Sequence, residues 1–405
     1  MKDDRYPWML IGLLWMASFL NAADRSILTA IMPTLREEFH ISDIQLGLVN
    51  SVFFWVYAVS AFLFGRVGDS VRRRNVIIYG LAFWSVATGL MPLASGFAVL
   101  LAMRTLVAVG ESTYYPTATA LISGWHKPTM RSRALSIHQT AVFVGSGLGG
   151  WVAGLLGQTY GWKAPFLIFA ALGLVVVVIF TKTLRDAPGE EERVRTVKTV
   201  EPLGVIFKSP AALVLCAVFF LATGASSAVL VWSNTFAHDV LKLDLADSAL
   251  VGPVMINIAG LSSVLAGGYL ADRFAQKSPT GRFTVLTIGL SLAAAFLMIF
   301  PLATSAVAVG LLLFCTSFGK GLFDGCIYAA MHDVVPPEAR ATAVGLMTML
   351  GFIGAGISSV VLPIASERLG GMAAGFALLA VLYMLAVVLL LASRGLARRA
   401  VLANV

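Results

Sequence analysis

Two residues of opposite charge, Arg104 and Glu111, interrupt an apolar run that extends from Leu101 to Tyr115. They are two helical turns apart, which places both side chains on one stripe of a helix, about 10 Å apart along its axis. A charged side chain at the centre of a bilayer costs about 2.5–3.5 kcal/mol. The pair therefore predicts a hydrated surface inside a membrane protein, where charged groups can bind an ion or a proton.

Six ionisable residues fall well inside apolar runs of this kind: Asp24, Arg25, Arg104, Glu111, Lys320 and Asp324. Arg25 and Arg104 are candidate ligands of an anionic substrate, because a guanidinium keeps its charge and can hold a carboxylate or phosphate by two parallel hydrogen bonds. The alternative is that each arginine only neutralises a carboxylate of the same bundle. Lys320 is a third candidate ligand, and its alternative is a salt bridge within one helix, since Asp324 follows four residues later.

Glu111 and Asp24 are the candidate proton carriers. A carboxyl group away from water binds a proton readily and releases it when an arginine approaches, so its protonation can follow a conformational cycle. A permanent ion pair is the alternative for both residues. Tyr114 and Asn234 are candidates for hydrogen bonds to a substrate, with packing as the alternative. The sequence contains no nucleophile–base constellation, no Cys/His metal-ligand spacing and no nucleotide-binding loop, so we expect no catalytic or metal-binding residues.

Membrane-spanning helices must position these residues. Of the 405 residues, 58% are hydrophobic and only 12% are charged, whereas soluble domains carry about 25% charged residues. Apolar runs of about 20 residues predict twelve helices, near 8–33, 44–65, 75–95, 97–124, 134–158, 163–182, 209–234, 248–270, 283–303, 306–331, 342–366 and 372–393. The first run also has features of a signal peptide, but the many spans that follow favour a retained helix.

The positive charges are distributed asymmetrically. Most of the 29 Lys and Arg residues fall in the N-terminal segment and in the connections on its side of the membrane. This bias is typical of cytoplasmic loops, and it explains the net charge of +8 without a nucleic-acid partner. We expect a multi-pass protein of the cell inner membrane with both termini in the cytoplasm.

The two halves of the chain repeat one pattern. A G-x-x-x-D motif follows the second predicted helix at 65–69, and another follows the eighth at 268–272, about half of the chain later. A six-plus-six duplication is typical of transporters built from two bundles. We predict an N-terminal six-helix bundle over 1–182, a cytoplasmic linker over 183–208 and a C-terminal six-helix bundle over 209–405.

The duplicated motifs closely resemble the signature loop of the major facilitator superfamily, whose all-α fold has twelve transmembrane helices in two six-helix bundles. The N-terminal half is also similar to Spinster-type proteins and anion–cation symporters, in the segments Asn21–Arg25, Arg104–Glu111, Arg131–Arg133 and Gly145–Gly149. In related symporters the carboxylates that match Asp24 and Glu111 are implicated in proton coupling. The resemblance implies transport by alternating access of two rocking bundles.

The resemblance also implies three gating residues: Asp69, Arg73 and Asp272. A carboxylate at the cytoplasmic end of a helix can pair with nearby arginines and with the N-terminus of a neighbouring helix, which would lock the inner gate. The alternative for the arginine is a solvated positive loop. Ser70 and Arg72 depart from the arginine and glycine that are usual in this motif.

We therefore expect a proton-coupled secondary transporter of a small organic anion. It would use the proton gradient and no cofactor, and act as a monomer among membrane lipids. The alternative is a Spinster-like transporter of an amphiphilic anion such as a lysophospholipid or sphingolipid, whose headgroup the same charges would bind. A third hypothesis is a receptor without turnover, which the intact motif in both halves disfavours.

Overall fold

The computed structural model describes residues 5–126, 128–188, 204–336 and 339–403. Within these residues the chain is almost entirely helical and contains no strand. In the described part of the chain, twelve helices are long and apolar enough to cross a membrane. They are numbered spans 1 to 12, and each lies at one of the twelve predicted positions, so the predicted fold class is confirmed.

Spans 1 to 6 comprise Tyr6–Ala30, Asp43–Ser70, Arg73–Leu90, Phe97–Ser112 with Tyr114–Trp125, Pro128–Tyr160, and Lys163–Thr183. Spans 7 to 12 comprise Pro210–Asp239, Leu245–Ala249 with Met255–Ala275, Gly281–Met298, Ala306–Val334, Arg340–Leu369, and Met372–Ala392. Shorter helical segments connect or follow the spans: Met32–Phe39, Met91–Leu93, Gly204–Phe207, Phe300–Leu302 and Arg394–Ala403.

Prolines account for two differences from the predicted helices. Span 1 ends at Ala30, short of the predicted residue 33, because Pro33 starts the next helix and would clash with the preceding turn of a continuous one. Span 4 was predicted as one helix but consists of two, which meet at Thr113. Pro116 has no N–H to donate to the carbonyl four residues earlier, so the regular hydrogen-bond ladder cannot pass this point.

Span 8 contains a third irregularity, a π-turn over Leu250–Val254 that holds Pro253. The Nδ2 of Asn257 donates a hydrogen bond to the carbonyl of Pro253 at 2.8 Å, which stabilises the backbone after the turn. A Cβ at Gly252 would lie 2.7 Å from the Ser233 hydroxyl of span 7. The π-turn therefore brings the backbone of span 8 into close contact with span 7.

The chain divides into two compact units. The first holds spans 1 to 6 together with the segment Asp244–Ala249 at the start of span 8. The second holds spans 7 to 12 without that segment. The predicted linker over 183–208 lies partly outside the described residues, so the predicted bundle boundaries stay a prediction.

Glycines bring the helices of the first unit into close contact beside the predicted charges. A Cβ at Gly149 of span 5 would lie 2.4 Å from the Cβ of Ala23 in span 1. A Cβ at Gly110 of span 4 would lie 2.9 Å from the backbone nitrogen of Trp84 in span 3. Asp24 and Arg25 follow Ala23 in the chain and Glu111 follows Gly110, so this close packing fixes the backbone beside these charged residues.

Candidate functional site

Arg25 of span 1 and Glu111 of span 4 form an ion pair, with 2.7 Å between Nε of the arginine and Oε2 of the glutamate. The Glu111 side chain is 0% exposed, whereas that of Arg25 is 26% exposed. The Nη2 of Arg25 also donates to Oδ1 of Asn21 at 2.7 Å. The second glutamate oxygen, Oε1, is buried and has no hydrogen-bond partner among the described residues. The arginine is thus the accessible member of the pair, and the carboxylate is buried.

Two aromatic rings of span 2 support the guanidinium groups of this site. The Cζ of Arg25 lies 4.5 Å from the centre of the Tyr57 ring, and that of Arg104 lies 4.2 Å from the centre of the Phe53 ring. Cation–π contacts of this kind contribute about 0.5–2 kcal/mol. They engage the face of each guanidinium, while Nε and Nη2 of Arg25, which point along its plane, are held by Glu111 and Asn21. Phe53 was not among the predicted site residues, and its signal in the sequence is its spacing of one helical turn from Tyr57.

Arg104 is directed towards span 1 although it shares a helix stripe with Glu111. Its side chain is buried, and its Nη2 donates to the backbone carbonyl of Arg25 at 3.4 Å. Its Nε is buried and has no hydrogen-bond partner in the described part of the chain. The two predicted arginines therefore lie next to each other. Arg25 is the one that contacts Glu111 directly.

Asp24 lies in a buried polar environment next to span 3. Its side chain is 4% exposed, and Trp84 and Thr88 are the neighbouring hydrogen-bonding side chains. Among the described residues, however, Oδ1 of Asp24, Nε1 of Trp84 and Oγ1 of Thr88 all lack a partner with good hydrogen-bond geometry. A buried carboxylate oxygen without a donor is costly, so this place can accept a proton or a water molecule. The described residues contain no group of three or more His, Cys, Asp or Glu side chains that could hold a metal ion.

Tyr114 is packed in the first unit rather than lying at an accessible surface. Its side chain is 1% exposed, and its hydroxyl donates to the carbonyl of Leu14. The same hydroxyl lies 3.0 Å from Nε2 of His138, and since its own proton is engaged, the histidine is the donor in this contact. These bonds connect spans 1, 4 and 5, and the predicted role of Tyr114 in substrate binding stays a prediction.

Lys320 forms a salt bridge with Asp324 within span 10. From the sequence, this pair was the predicted alternative to substrate binding by Lys320. Its Nζ lies 2.6 and 2.8 Å from the two carboxylate oxygens of Asp324. The side chain of Lys320 is 9% exposed and that of Asp324 is 37% exposed. Asn234 of span 7 is fully buried. Contacts of Lys320 and Asn234 with a substrate stay predictions.

In the second unit, Asp272 is part of a network of three charged residues. Nη2 of Arg282 lies 3.3 Å from Oδ1 of Asp272, while its Nη1 lies 2.6 Å from each oxygen of Asp333. The side chain of Asp272 is 73% exposed and that of Asp333 only 25%. Asp333 is therefore the main partner of Arg282. Asp333 was not predicted, and its signal in the sequence is only that of an acidic residue in the last turn of span 10.

The matching place in the first unit can be described only in part. The side chain of Asp69 lies outside the described residues, so its predicted gating role stays a prediction. The Nη1 of Arg73 donates to the carbonyl of Ala120 in span 4 at 3.4 Å. Arg74, the next residue, donates from Nε to the carbonyl of Leu184 at 2.6 Å. These two arginines tie the start of span 3 to spans 4 and 6.

Substitution of Asp333 should destabilise the protein more than substitution of Asp272. Asp333→Asn should lower the free energy of unfolding by about 1.5–3 kcal/mol, because it removes a short, half-buried hydrogen bond to a charged group. Asp272→Asn should cost at most about 1 kcal/mol, as for other exposed ion pairs. Thermal unfolding of the two purified variants in detergent measures the difference. A larger loss for Asp272→Asn would contradict the assignment of Asp333 as the main partner of Arg282.

Comparison with known proteins adds to this geometry. The sequence profile of the Major Facilitator Superfamily matches residues 14–359. The hexuronate transporter of Bacillus subtilis is 26% identical over 378 residues, which cover 89% of this chain and 88% of that protein. Protein spinster homolog 1 of Xenopus tropicalis is 27% identical, covering 86% of this chain and 70% of that protein.

A solved structure agrees along the whole chain. It is a bacterial homolog of the human lysosomal transporter Spinster in an inward-facing and occupied conformation, with a TM-score of 0.81. The two chains are 20% identical, and the match covers 99% of this chain and 98% of the other. Since the profile covers most of the sequence and the fold agrees over its full length, this chain belongs to the Major Facilitator Superfamily.

Proposed function

We propose that this chain is a proton-coupled secondary transporter that moves a small organic anion by alternating access. The observation that carries the proposal is the ion pair between Arg25 and Glu111 at 2.7 Å, in which the arginine is partly accessible and the carboxylate is fully buried. Arg104 and Asp24 lie beside this pair with polar atoms that lack hydrogen-bond partners among the described residues. The cluster combines cations for an anionic substrate with carboxylates for a proton.

Competition for one guanidinium couples the two ligands. An anion that approaches the accessible side of Arg25 competes with Glu111 for its N–H groups. Breaking a buried ion pair by removing one partner is strongly unfavourable, because the remaining charge is left without compensation. A proton on Glu111 removes that charge. Anion and proton therefore bind together, and the loss of either favours the return of the Arg25–Glu111 pair.

Two observations support an organic anion as the substrate. A guanidinium recognises a planar carboxylate through two parallel hydrogen bonds, and the guanidinium of Arg25 is the partly accessible one that an anion can reach. The relative in Bacillus subtilis is named a hexuronate transporter, and a hexuronate is a sugar acid of this kind. The relative named spinster homolog 1 supports the second candidate, an amphiphilic anion such as a lysophospholipid or sphingolipid held by its headgroup at Arg25.

Energy for accumulation would come from the proton gradient. Each unit of pH difference supplies about 1.4 kcal/mol per proton, and a membrane potential of 100 mV adds about 2.3 kcal/mol per net charge moved. The proposal needs no cofactor and no catalytic residue. The charge bias of the sequence supports a place in the cell inner membrane with both termini in the cytoplasm.

Transport by the purified full-length protein in proteoliposomes tests this function. Labelled glucuronate, inorganic phosphate and lysophosphatidylglycerol are offered separately, with a pH gradient imposed in either direction and with empty liposomes as the control. We expect a gradient of one sign to drive accumulation of glucuronate, and a protonophore to abolish it. Accumulation of lysophosphatidylglycerol alone would favour the amphiphilic substrate. Indifference of all three solutes to the gradient would contradict proton coupling.

A further inference from the structure

The second unit contains a cavity at one end of its helices. The cavity measures about 350 Å³ and lies between the start of span 7, the end of span 10 and the helix Arg394–Ala403, which follows span 12. Its lining residues are Lys208, Ser209, Pro210, Ala211, Val334, Pro336, Leu396, Arg399 and Ala400. Since three spans begin or end here, the cavity lies where the bilayer meets water.

Both charged residues among the described lining of the cavity are positive. Arg399 borders it from the helix Arg394–Ala403 and Lys208 from the turn before span 7, and neither forms an ion pair or a hydrogen bond with another described residue. No described residue of the lining is acidic. The nearby Asp333 is already held by Arg282. Two cations therefore face one cavity without a counter-charge in the described part of the chain.

The remaining wall of the cavity is apolar and continues into an amphipathic helix. Val334, Leu396 and Ala400 form part of this wall. In the helix Arg394–Ala403, Ala397 and Val401 are buried against the protein, whereas Leu396 and Leu402 are 42% and 56% exposed. A helix with basic residues and exposed leucines at a membrane boundary is typical of segments that lie in the headgroup region.

We propose that this cavity binds one acidic phospholipid, with its phosphate between Lys208 and Arg399 and its acyl chains against the apolar wall. The two cations supply charge-assisted hydrogen bonds to phosphate oxygens. A soluble anion of the same charge would satisfy the cations but would leave the exposed side chain of Leu396 uncovered. The lipid satisfies both parts of the cavity at once. This site lies in the second unit and involves none of the residues proposed for transport.

Native mass spectrometry of the full-length protein in detergent tests the proposal, with phosphatidylglycerol as the probe and phosphatidylcholine as the neutral comparison. We expect one tightly bound phosphatidylglycerol per chain. Arg399→Gln should weaken its binding about tenfold, the effect of losing one charge-assisted hydrogen bond. The matched control is Arg398→Gln, which removes the same charge from the same helix at a position that does not line the cavity. It should change the affinity by no more than about twofold, since exposed charges are screened.

Three other results would overturn the proposed lipid site. Equal weakening by Arg398→Gln and Arg399→Gln would show diffuse attraction of the basic helix and would overturn the site. Equal retention of phosphatidylcholine would show an apolar groove without headgroup recognition and would overturn it as well. Glycerol 1-phosphate that displaces the lipid at similar concentration would identify a soluble anion as the occupant. If Arg399→Gln unfolds, Lys208→Gln replaces it, because this residue meets the cavity from the segment before span 7.

Discussion

Glu111→Gln should abolish accumulation driven by a pH gradient while exchange of the anion across the membrane continues. Glutamine keeps the shape of the side chain and an oxygen that can accept the hydrogen bond from Nε of Arg25, but it cannot carry a proton. Accumulation by the wild type with one proton per anion amounts to about tenfold for each pH unit, and the variant should lose all of it. Counterflow and pH-driven uptake in proteoliposomes measure the two activities separately.

The matched control for this change is Glu367→Gln, at the exposed end of span 11. It removes the same charge from a position outside the buried cluster and should leave both activities unchanged. Accumulation at the wild-type level by Glu111→Gln would show that another group carries the proton. Asp24→Asn would then be the decisive variant, because Asp24 is the other buried carboxylate of the cluster.

Arg25→Ala should reduce anion uptake by about a hundredfold and should also destabilise the protein. The loss of uptake corresponds to about two hydrogen bonds from a charged group to the substrate. Stability should fall by about 3–5 kcal/mol, because the fully buried Glu111 loses its counter-charge. Initial rates of uptake and thermal unfolding in detergent measure these effects.

A second variant separates substrate binding from stability. In Arg25→Ala with Glu111→Gln the buried Arg25–Glu111 pair is replaced by neutral side chains, so most of the stability should return while uptake stays low. Arg36→Ala is the control, since its pair with Asp43 is 28% exposed on both sides and should contribute at most about 1 kcal/mol. Recovery of uptake in the double variant would show that Arg25 does not bind the anion.

The number and the places of the spans could be predicted because a span needs only length and apolar composition. The breaks within spans were missed, although Pro116 and Pro253 were visible in the sequence. A proline leaves open whether a helix stops, bends or widens, and neighbouring helices decide among these. In span 8 the outcome is a π-turn packed against Ser233, a contact that no local pattern contains.

Charge pairs within one helix could be predicted from the sequence, whereas pairs between helices could not. The pair Lys320–Asp324 could be foreseen from its spacing of four residues on one helix. The contact between Arg25 and Glu111 joins spans 1 and 4, and it depends on how far each helix is shifted along its neighbours. Spacing within span 4 linked Glu111 to Arg104 instead. Which arginine pairs with Glu111 is determined by how the helices pack, for example by the close contact of Gly149 with Ala23.

The π-turn at Leu250–Val254 also affects how this sequence should be aligned with its relatives. A π-turn holds about one residue more than an α-turn, so it rotates everything before it by about 100° around the helix axis. A homologue whose eighth helix is regular therefore requires a single-residue gap at this place. Without the gap, each position from Leu245 to Ala249 would be matched to a neighbour that faces another direction, and similarity scores for this segment would be misleading.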